Sequence, residues 1–215
     1  MEKREVAVET QILNRNETMA DDITCWLAAH GVEAVNIMAS PGAGKTSIIL
    51  QTIAALRGRR EIAVIEGDLA SSLDADRVAA AGVLAIQINT GGGCHLEAPM
   101  VRRALEQLPL DQIDMVLIEN VGNLVCPIAF RLGEKRRALI ASVPEGDDKP
   151  LKYPTSFLDV NAVVLNKIDL LPYIDFDLEA FKQRVRGLNP NAPIFLVSCK
   201  TGEGIDDWAN WLAGE

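Results

Sequence analysis

One stretch in the first quarter of the chain has the composition of a phosphate-binding loop. It reads Ala39-Ser40-Pro41-Gly42-Ala43-Gly44-Lys45-Thr46 and is followed by Ser47. An apolar run before it predicts a buried strand, and Ser47 to Ile53 predicts a helix. Backbone N–H groups of such a turn converge on an anion, and the helix N-terminus adds a favourable dipole. We therefore expect a nucleotide phosphate to be held by Gly42, Ala43, Gly44, Lys45, Thr46 and Ser47.

Two side chains of this loop point to phosphate and magnesium chemistry. Lys45 is expected to reach the outer phosphates, and Thr46 to offer its hydroxyl to Mg²⁺. Asp68 closes the second apolar run and is the expected carboxylate partner of the same ion, because Mg²⁺ takes only one or two carboxylates. Ala39 replaces the glycine that usually begins the motif, which is tolerable only at negative φ.

Two later segments predict a guanine site. Asn166-Lys167-Ile168-Asp169 follows one apolar run, and Ser198-Cys199-Lys200 follows the last. The Asp169 carboxylate can accept hydrogen bonds from the guanine N1–H and the exocyclic amine, which adenine cannot offer. Lys167 is expected to lie along the base, and Asn166 to join the loops. Ser198, Cys199 and Lys200 are expected to complete the pocket with backbone N–H groups.

A smaller constellation has the ligand chemistry of a soft metal. Cys94 and His95 follow Gly91-Gly92-Gly93, and Cys126 precedes Pro127 after the next strand. Successive parallel strands often lie near each other, so both loops are expected at one edge of the sheet. Two thiolates and an imidazole suit Zn²⁺ or Ni²⁺. On residue types alone, packing is the more common role of a lone thiol such as Cys126 beside Pro127.

Short apolar runs alternate with helical patterns along the chain, which predicts an α/β fold with a parallel sheet covered on both faces. The expected strands are Ala34–Met38, Ile62–Glu66, Val83–Ile88, Met115–Glu119, Ala138–Val143, Ala162–Leu165 and Ile194–Val197. The expected helices are Thr46–Arg57, Leu96–Gln107, Leu178–Gly187 and Ile205–Leu212, with one long amphipathic helix over residues 5–30. We expect residues 1–30 to be a helical extension packed on a P-loop domain of residues 31–215.

Composition excludes several classes of protein. A 215-residue chain that is 48% hydrophobic predicts one packed domain. Its net charge of -9 argues against broad nucleic-acid binding. No apolar run has the ~20 residues of a membrane helix, and we expect no secretory signal. Four scattered cysteines suit a reducing cytoplasm, where thiols pack or bind metal.

Together these segments resemble a G domain. Glu119-Asn120-Val121-Gly122 stands in the place of the usual Asp-x-x-Gly, and the Gly122 N–H is expected to sense the γ-phosphate. Asn123 stands where many signalling GTPases carry the glutamine that orients water. Because asparagine is one methylene shorter, slow turnover is expected. Lys45, Asp68, Glu119 and Gly122 are the expected catalytic residues.

The chain also resembles the hydrogenase nickel-incorporation GTPase (HypB) family over residues 5–215. Beyond the segments above, the matching motifs are Thr90-Gly91-Gly92-Gly93-Cys94-His95-Leu96, Glu119 to Pro127, and Glu145-Gly146-Asp147-Asp148-Lys149-Pro150-Leu151-Lys152-Tyr153-Pro154. This resemblance implies a SIMIBI-type G domain that binds GTP and GDP, and nickel or zinc at Cys94, His95 and Cys126. It also implies a GTP-dependent homodimer, a zinc-binding hydrogenase accessory protein and a hydrogenase large-subunit precursor as partners.

Some alternatives remain open at this stage. Some family members carry an N-terminal cysteine or histidine cluster, whereas this chain has two histidines, His30 and His95. A urease-type nickel GTPase is the nearest alternative, although its Cys and His usually surround one proline. A metal-binding module that uses GTP only as a switch is another, and a partitioning or transport ATPase a third. Lys149 and Lys152 could touch nucleotide across a dimer or be solvated.

Overall fold

A parallel sheet forms the centre of the computed structural model, which describes residues 8–68 and 73–214. Its strands are β1 (Glu33–Ala39), β2 (Ile62–Asp68), β3 (Leu84–Asn89), β4 (Met115–Glu119), β5 (Arg136–Ser142), β6 (Ala162–Asn166) and β7 (Ile194–Leu196). Their order across the sheet is β3-β2-β4-β1-β5-β6-β7, and every pairing is parallel. All seven expected strands are therefore confirmed.

The helices lie between the strands. They are α1 (Val8–Ala29), α2 (Lys45–Leu56), α3 (Leu73–Ala80), α4 (Ala98–Leu105), α5 (Lys149–Lys152), α6 (Pro154–Leu158), α7 (Leu178–Leu188) and α8 (Ile205–Ala213). The long N-terminal helix is confirmed from residue 8, and residues 5–7 of the expected span lie outside the described residues. The short helices α5 and α6 were not expected. Proline in the first turn of each fixes φ at a helical value, which favours so short a helix.

The start of α4 differs from the expectation of Leu96. The helix begins at Ala98, after Glu97 in an extended conformation with φ −116° and ψ 153°. The Leu96 N–H donates a hydrogen bond to the Asn120 side chain, 3.1 Å away. Leu96 therefore belongs to the preceding loop, although its apolar side chain continues the helical pattern.

Helices cover both faces of the sheet, because its buried strands are apolar on both sides. Val35 and Ile37 of β1 face a cluster that contains residues of α2 and α8, including the fully buried Trp208. Ala34 of β1 faces a second cluster, to which α1 contributes Ala20, Ile23 and Leu27, each at most 2% exposed. Burying such aliphatic side chains stabilises the fold by about 1.5–3 kcal/mol each. Within the described ranges, no helix is both long and apolar enough to cross a membrane.

Candidate functional site: a nucleotide cleft beside three metal-ligating side chains

The phosphate loop depends on glycine at its last turn. Gly44 has φ 101° and precedes the first residue of α2, Lys45. A Cβ at Gly44 would lie 2.5 Å from Nδ2 of Asn166, so neither the backbone angle nor the space admits a side chain. Ala39, by contrast, is not among the positive-φ residues, as its replacement of glycine requires.

Two carboxylates are buried under the loop. The Thr46 hydroxyl donates to Glu119 at 3.0 Å, and the Lys45 ammonium lies 3.9 Å from the same Glu119 oxygen. Glu66 of β2 is the register partner of Glu119, and the two residues are 3% and 5% exposed. A buried carboxylate is stable as an anion beside positive charge, which Lys45 supplies next to Glu119 and which a bound cation would increase.

This donor set fits Mg²⁺. Carboxylate and hydroxyl oxygens are the protein ligands that the ion prefers, alongside water and phosphate. Thr46, Glu119 and Glu66 lie together at the carboxyl ends of β4 and β2, and Asp68 follows two residues after Glu66 on the same face. The sequence favours Asp68 over Glu66 as the acid beside Mg²⁺, because a glutamate inside a strand pattern gives no sign of its cross-strand neighbour.

The base-binding segments meet beside the loop around a cavity of about 530 Å³, a volume within the range of nucleotide-sized ligands. Asp169, Lys167 and Asn166 line this cavity together with Cys199 and Lys200. The Asn166 amide donates to the Ala43 carbonyl at 3.0 Å, and the Lys167 ammonium to the Gly42 carbonyl at 2.7 Å. The phosphate loop and the base loop are therefore one hydrogen-bonded unit.

Asp169 is oriented from behind. Ser198 Oγ donates a hydrogen bond to Oδ1 of Asp169 at 2.7 Å. The same Oγ accepts a hydrogen bond from the Thr201 N–H at 3.2 Å. Lys167 has φ 63°, the one non-glycine residue with positive φ in the part of the chain described. Such strain is retained where the surroundings fix the backbone, as the Gly42 and Asn166 contacts do here. Burial raises the pKa of the Cys199 thiol at the pocket wall to about 11.

The three soft-metal candidates also meet. One ligand atom from each of Cys94, His95 and Cys126 lies within 4.8 Å of the others, and His95 Nδ1 is 3.5 Å from Cys94 Sγ. The His95 ring stacks on Phe130 with centroids 4.0 Å apart, which fixes its plane. Its Nε2 lies 3.7 Å from a Glu97 carboxylate, the kind of partner that orients a metal-binding imidazole.

The pKa shift of His95 favours metal binding, whereas the pKa shift of Cys94 favours the protonated thiol. Burial lowers the pKa of His95, despite Glu97, so the imidazole is neutral and ready to ligate near pH 7. The hydrogen bond between Cys94 and Cys126, followed by burial, raises the pKa of the Cys94 thiol. A divalent cation bound by both sulfur atoms would offset these effects, because it favours the charged form of each thiol.

The two loops meet, but not because they follow neighbouring strands, as the sequence analysis expected. β3 and β4 are not neighbours, because β2 lies between them. The loop after β3 therefore crosses the end of β2, where the Thr90 N–H donates to the Asp68 carbonyl at 3.0 Å. Leu96 covers Gly67, at which any Cβ would lie 2.8 Å from the leucine. Only glycine at this position lets the loop of residues 90–97, called here the metal loop, come so close.

Asn123 occupies a different environment from the one its sequence position suggests. Its amide donates to the Cys94 carbonyl at 3.2 Å, and its side-chain oxygen accepts the Val125 N–H at 2.9 Å. Its side chain therefore faces the metal loop. Lys149, whose role the sequence left open, lies 3.3 Å from Ser40 Oγ of the phosphate loop and 3.3 Å from Glu145, whereas Lys152 pairs with Asp148 at 2.6 Å.

Comparison with known proteins agrees with this geometry. The model of the CobW/HypB/UreG nucleotide-binding domain family matches residues 33–196. The hydrogenase maturation factor HypB of Escherichia coli is 46% identical over 211 residues, which cover 98% of this chain and 73% of that protein. The hydrogenase/urease maturation factor HypB of Helicobacter pylori is 40% identical over 216 residues, covering 99% and 88%.

Solved structures give the same result. The crystal structure of HypB from Helicobacter pylori in complex with nickel has a TM-score of 0.89 at 41% identity, covering 93% of this chain and 94% of that one. The signal recognition particle receptor FtsY of Elizabethkingia anophelis shares the fold alone, with a TM-score of 0.58 at 14% identity. The chain therefore belongs to the HypB family of hydrogenase maturation factors, within the CobW/HypB/UreG group of P-loop GTPases.

Proposed function

We propose that this chain is a slow GTPase that binds nickel and delivers it during maturation of a [NiFe] hydrogenase. The observation that carries the proposal is the approach of Cys94, His95 and Cys126 to within 4.8 Å beside the nucleotide cleft. Two thiolates and an imidazole bind Ni²⁺ or Zn²⁺ in preference to Mg²⁺. Nickel is the favoured cargo, because the Helicobacter pylori relative was solved with nickel.

The metal site suits transfer better than storage. Three ligands from one chain leave a tetrahedral shell incomplete, so water, a second copy or a client must supply the rest. Cys94 is exposed and Cys126 half-buried, which leaves the sulfur atoms accessible to a recipient. The cysteines at positions 25, 94, 126 and 199 are all free thiols.

The nucleotide site supports GTP as the second substrate. Asp169 is held by Ser198 to receive the guanine edge, and Lys45 and Thr46 stand ready for the phosphates. When bound, Mg²⁺ would neutralise phosphate charge, with Thr46, Asp68 and the buried glutamates as its candidate ligands. Gly122 packs on the loop, since a Cβ there would lie 3.2 Å from Pro41 Cα. Its N–H is the group we assign to the γ-phosphate.

A homodimer is part of the proposal. Val125, next to Cys126, is 59% exposed, and Leu151, close to Lys149, is 63% exposed. A contiguous exposed apolar patch is typical of a protein interface, and we assign these two side chains to such a patch. A second copy bound there would bring two sets of metal ligands together when GTP is present. The accessory protein and the hydrogenase precursor implied by the family would receive metal from that form.

Two alternatives have their own supporting observations. A role with urease is compatible with the site, because the Helicobacter pylori relatives are named for both hydrogenase and urease. A metal-binding module in which GTP is only a switch would use the same residues. The Asn123 amide donates to the Cys94 carbonyl and so does not orient water, which favours little hydrolysis. Phosphate release measured with and without nickel separates the switch from the enzyme.

The proposal is tested by titrating Ni²⁺ into the wild type and Cys94→Ala, each with GDP and with a non-hydrolysable GTP analogue. Cys25→Ala is the matched control, because Cys25 is exposed on α1 and far in sequence from the metal loop. Light scattering follows mass in the same samples. We expect Cys94→Ala alone to lose tight binding, and the mass of the wild type to double with the analogue. Equal nickel affinity in all three proteins would refute the site.

A further inference from the structure

The segment from Glu119 to Cys126 contacts the phosphate loop and the metal loop alternately. Glu119 accepts the Thr46 hydroxyl at 3.0 Å, and Gly122 packs against Pro41. The residues between and after these two turn the other way. Asn120 holds the metal loop at Leu96, and Asn123 holds it at Cys94. Residues that contact the phosphate loop and residues that contact the metal loop are therefore one or two positions apart in one continuous segment.

Asn120 is the buried half of this arrangement. Its side chain is fully buried, and its oxygen accepts the N–H groups of Leu96 at 3.1 Å and Val121 at 3.0 Å. Its amide donates to Asn36 of β1 at 3.2 Å. These bonds fix Leu96, the residue after His95, relative to β1, the strand that leads into the phosphate loop. Three buried hydrogen bonds to fixed groups hold the Asn120 side chain rigidly.

Asn123 is the less buried half of this arrangement. It is half-buried, makes two hydrogen bonds, and lies one residue after Gly122 and three before Cys126. Its amide is bonded to the backbone of Cys94, and its oxygen to the turn that leads into Cys126. A displacement of Gly122 must therefore alter the position of the Cys94 carbonyl relative to Cys126.

We infer that Asn123 is a positioning residue that converts the position of Gly122 into the spacing of Cys94 and Cys126, and so sets nickel affinity by nucleotide state. This inference rests on the proposed function, because it presumes that nickel and GTP bind at the two sites. It assigns to Asn123 the coupling between sites, and not a contact with nucleotide or metal.

The test uses Asn123→Ser in the full chain. Serine keeps a hydroxyl oxygen that can accept the Val125 N–H in the local turn, but it is too short to donate to the Cys94 carbonyl. Asn89→Ser is the matched control, since Asn89 accepts the Gly91 N–H at 2.9 Å within the metal loop and is exposed. The readout is the ratio of Ni²⁺ dissociation constants with GDP and with a non-hydrolysable GTP analogue. GDP affinity of the metal-free proteins confirms intact folding.

We expect a ratio of roughly 5–150 in the wild type and in Asn89→Ser, the range typical of coupled sites, and a ratio within about twofold of one in Asn123→Ser. If Asn123→Ser weakens nickel binding equally with both nucleotides, its role is structural and the inference is wrong. A wild-type ratio retained in Asn123→Ser also overturns it, but leaves the proposed function intact. Absence of nickel binding in the wild type defeats the proposed function itself.

Discussion

Replacing Asp169 by asparagine gives the sharpest test of the nucleotide assignment. The Thr201 N–H fixes the Ser198 hydroxyl as a donor toward position 169. An asparagine there turns its oxygen to Ser198, which leaves an amide N–H at the base edge. That group faces donors in guanine, but it matches xanthine, in which a carbonyl oxygen replaces the exocyclic amine. The substitution should therefore exchange guanine for xanthine preference.

The expected size follows from the number of bonds exchanged. Asp169 can offer guanine two hydrogen bonds to a charged acceptor, each worth about 1.5–3 kcal/mol. Losing both costs about 3–6 kcal/mol, which is a decrease in GDP affinity of roughly 10²–10⁴-fold. Xanthosine diphosphate gains a donor–acceptor pair in place of a repulsive one, so its affinity should rise.

Isothermal titration with GDP and xanthosine diphosphate measures both effects. Asp175→Asn serves as the matched control, because Asp175 is an exposed acid of the same loop and does not line the base cavity. It should bind both nucleotides as the wild type does. Unchanged GDP affinity in Asp169→Asn, with no gain for the xanthine nucleotide, would show that the base does not contact this carboxylate. The guanine assignment would then be wrong.

Three further outcomes are expected. Gly44→Ala should abolish measurable GDP binding in a titration, because its Cβ would lie 2.5 Å from the Asn166 amide at a φ of 101°; wild-type affinity would contradict the loop geometry. Cys199, with its pKa raised to about 11, should be alkylated by iodoacetamide about tenfold faster per pH unit from pH 7 to 10 in a mass-spectrometric assay, and more slowly than exposed Cys25 at pH 8. Asn16→Ala leaves the Arg131 carbonyl and the Ala98 N–H without their side-chain partner. Urea unfolding should therefore show a decrease in the free energy of unfolding of about 2–5 kcal/mol, and a decrease under about 1 kcal/mol would contradict this.

The fold was predictable because its signals are local. Seven continuous apolar runs predict buried parallel strands, and each strand is present where its run lies. The failures occur where local pattern and tertiary bonding disagree. Leu96 fits a helical pattern, but its N–H is bonded to Asn120, 24 residues away. Cys199 carries no pattern that reveals its raised pKa, which is caused by burial against elements from elsewhere in the chain.

The candidate site divides in the same way. The phosphate loop and the base-binding tetrapeptide have fixed residue types at fixed spacing, so their positions could be predicted, and Asn166 does join the two loops. The partnership of Glu66 with Glu119 could not, because strand order decides it. Asn123 was placed at a catalytic position by its distance from Gly122, yet its side chain is bonded to the metal loop.

Sheet order, and not chain order, makes the metal site and the nucleotide site neighbours. The loops that carry Cys94 and Cys126 follow β3 and β4, which are separated by β2. To meet, the first loop must cross the end of β2, and it does so by bonding Thr90 to the Asp68 carbonyl. Asp68 is also the acid expected beside Mg²⁺, and Gly67 next to it contacts Leu96. Any movement of the end of β2 when nucleotide binds therefore reaches the metal loop through backbone hydrogen bonds and direct packing.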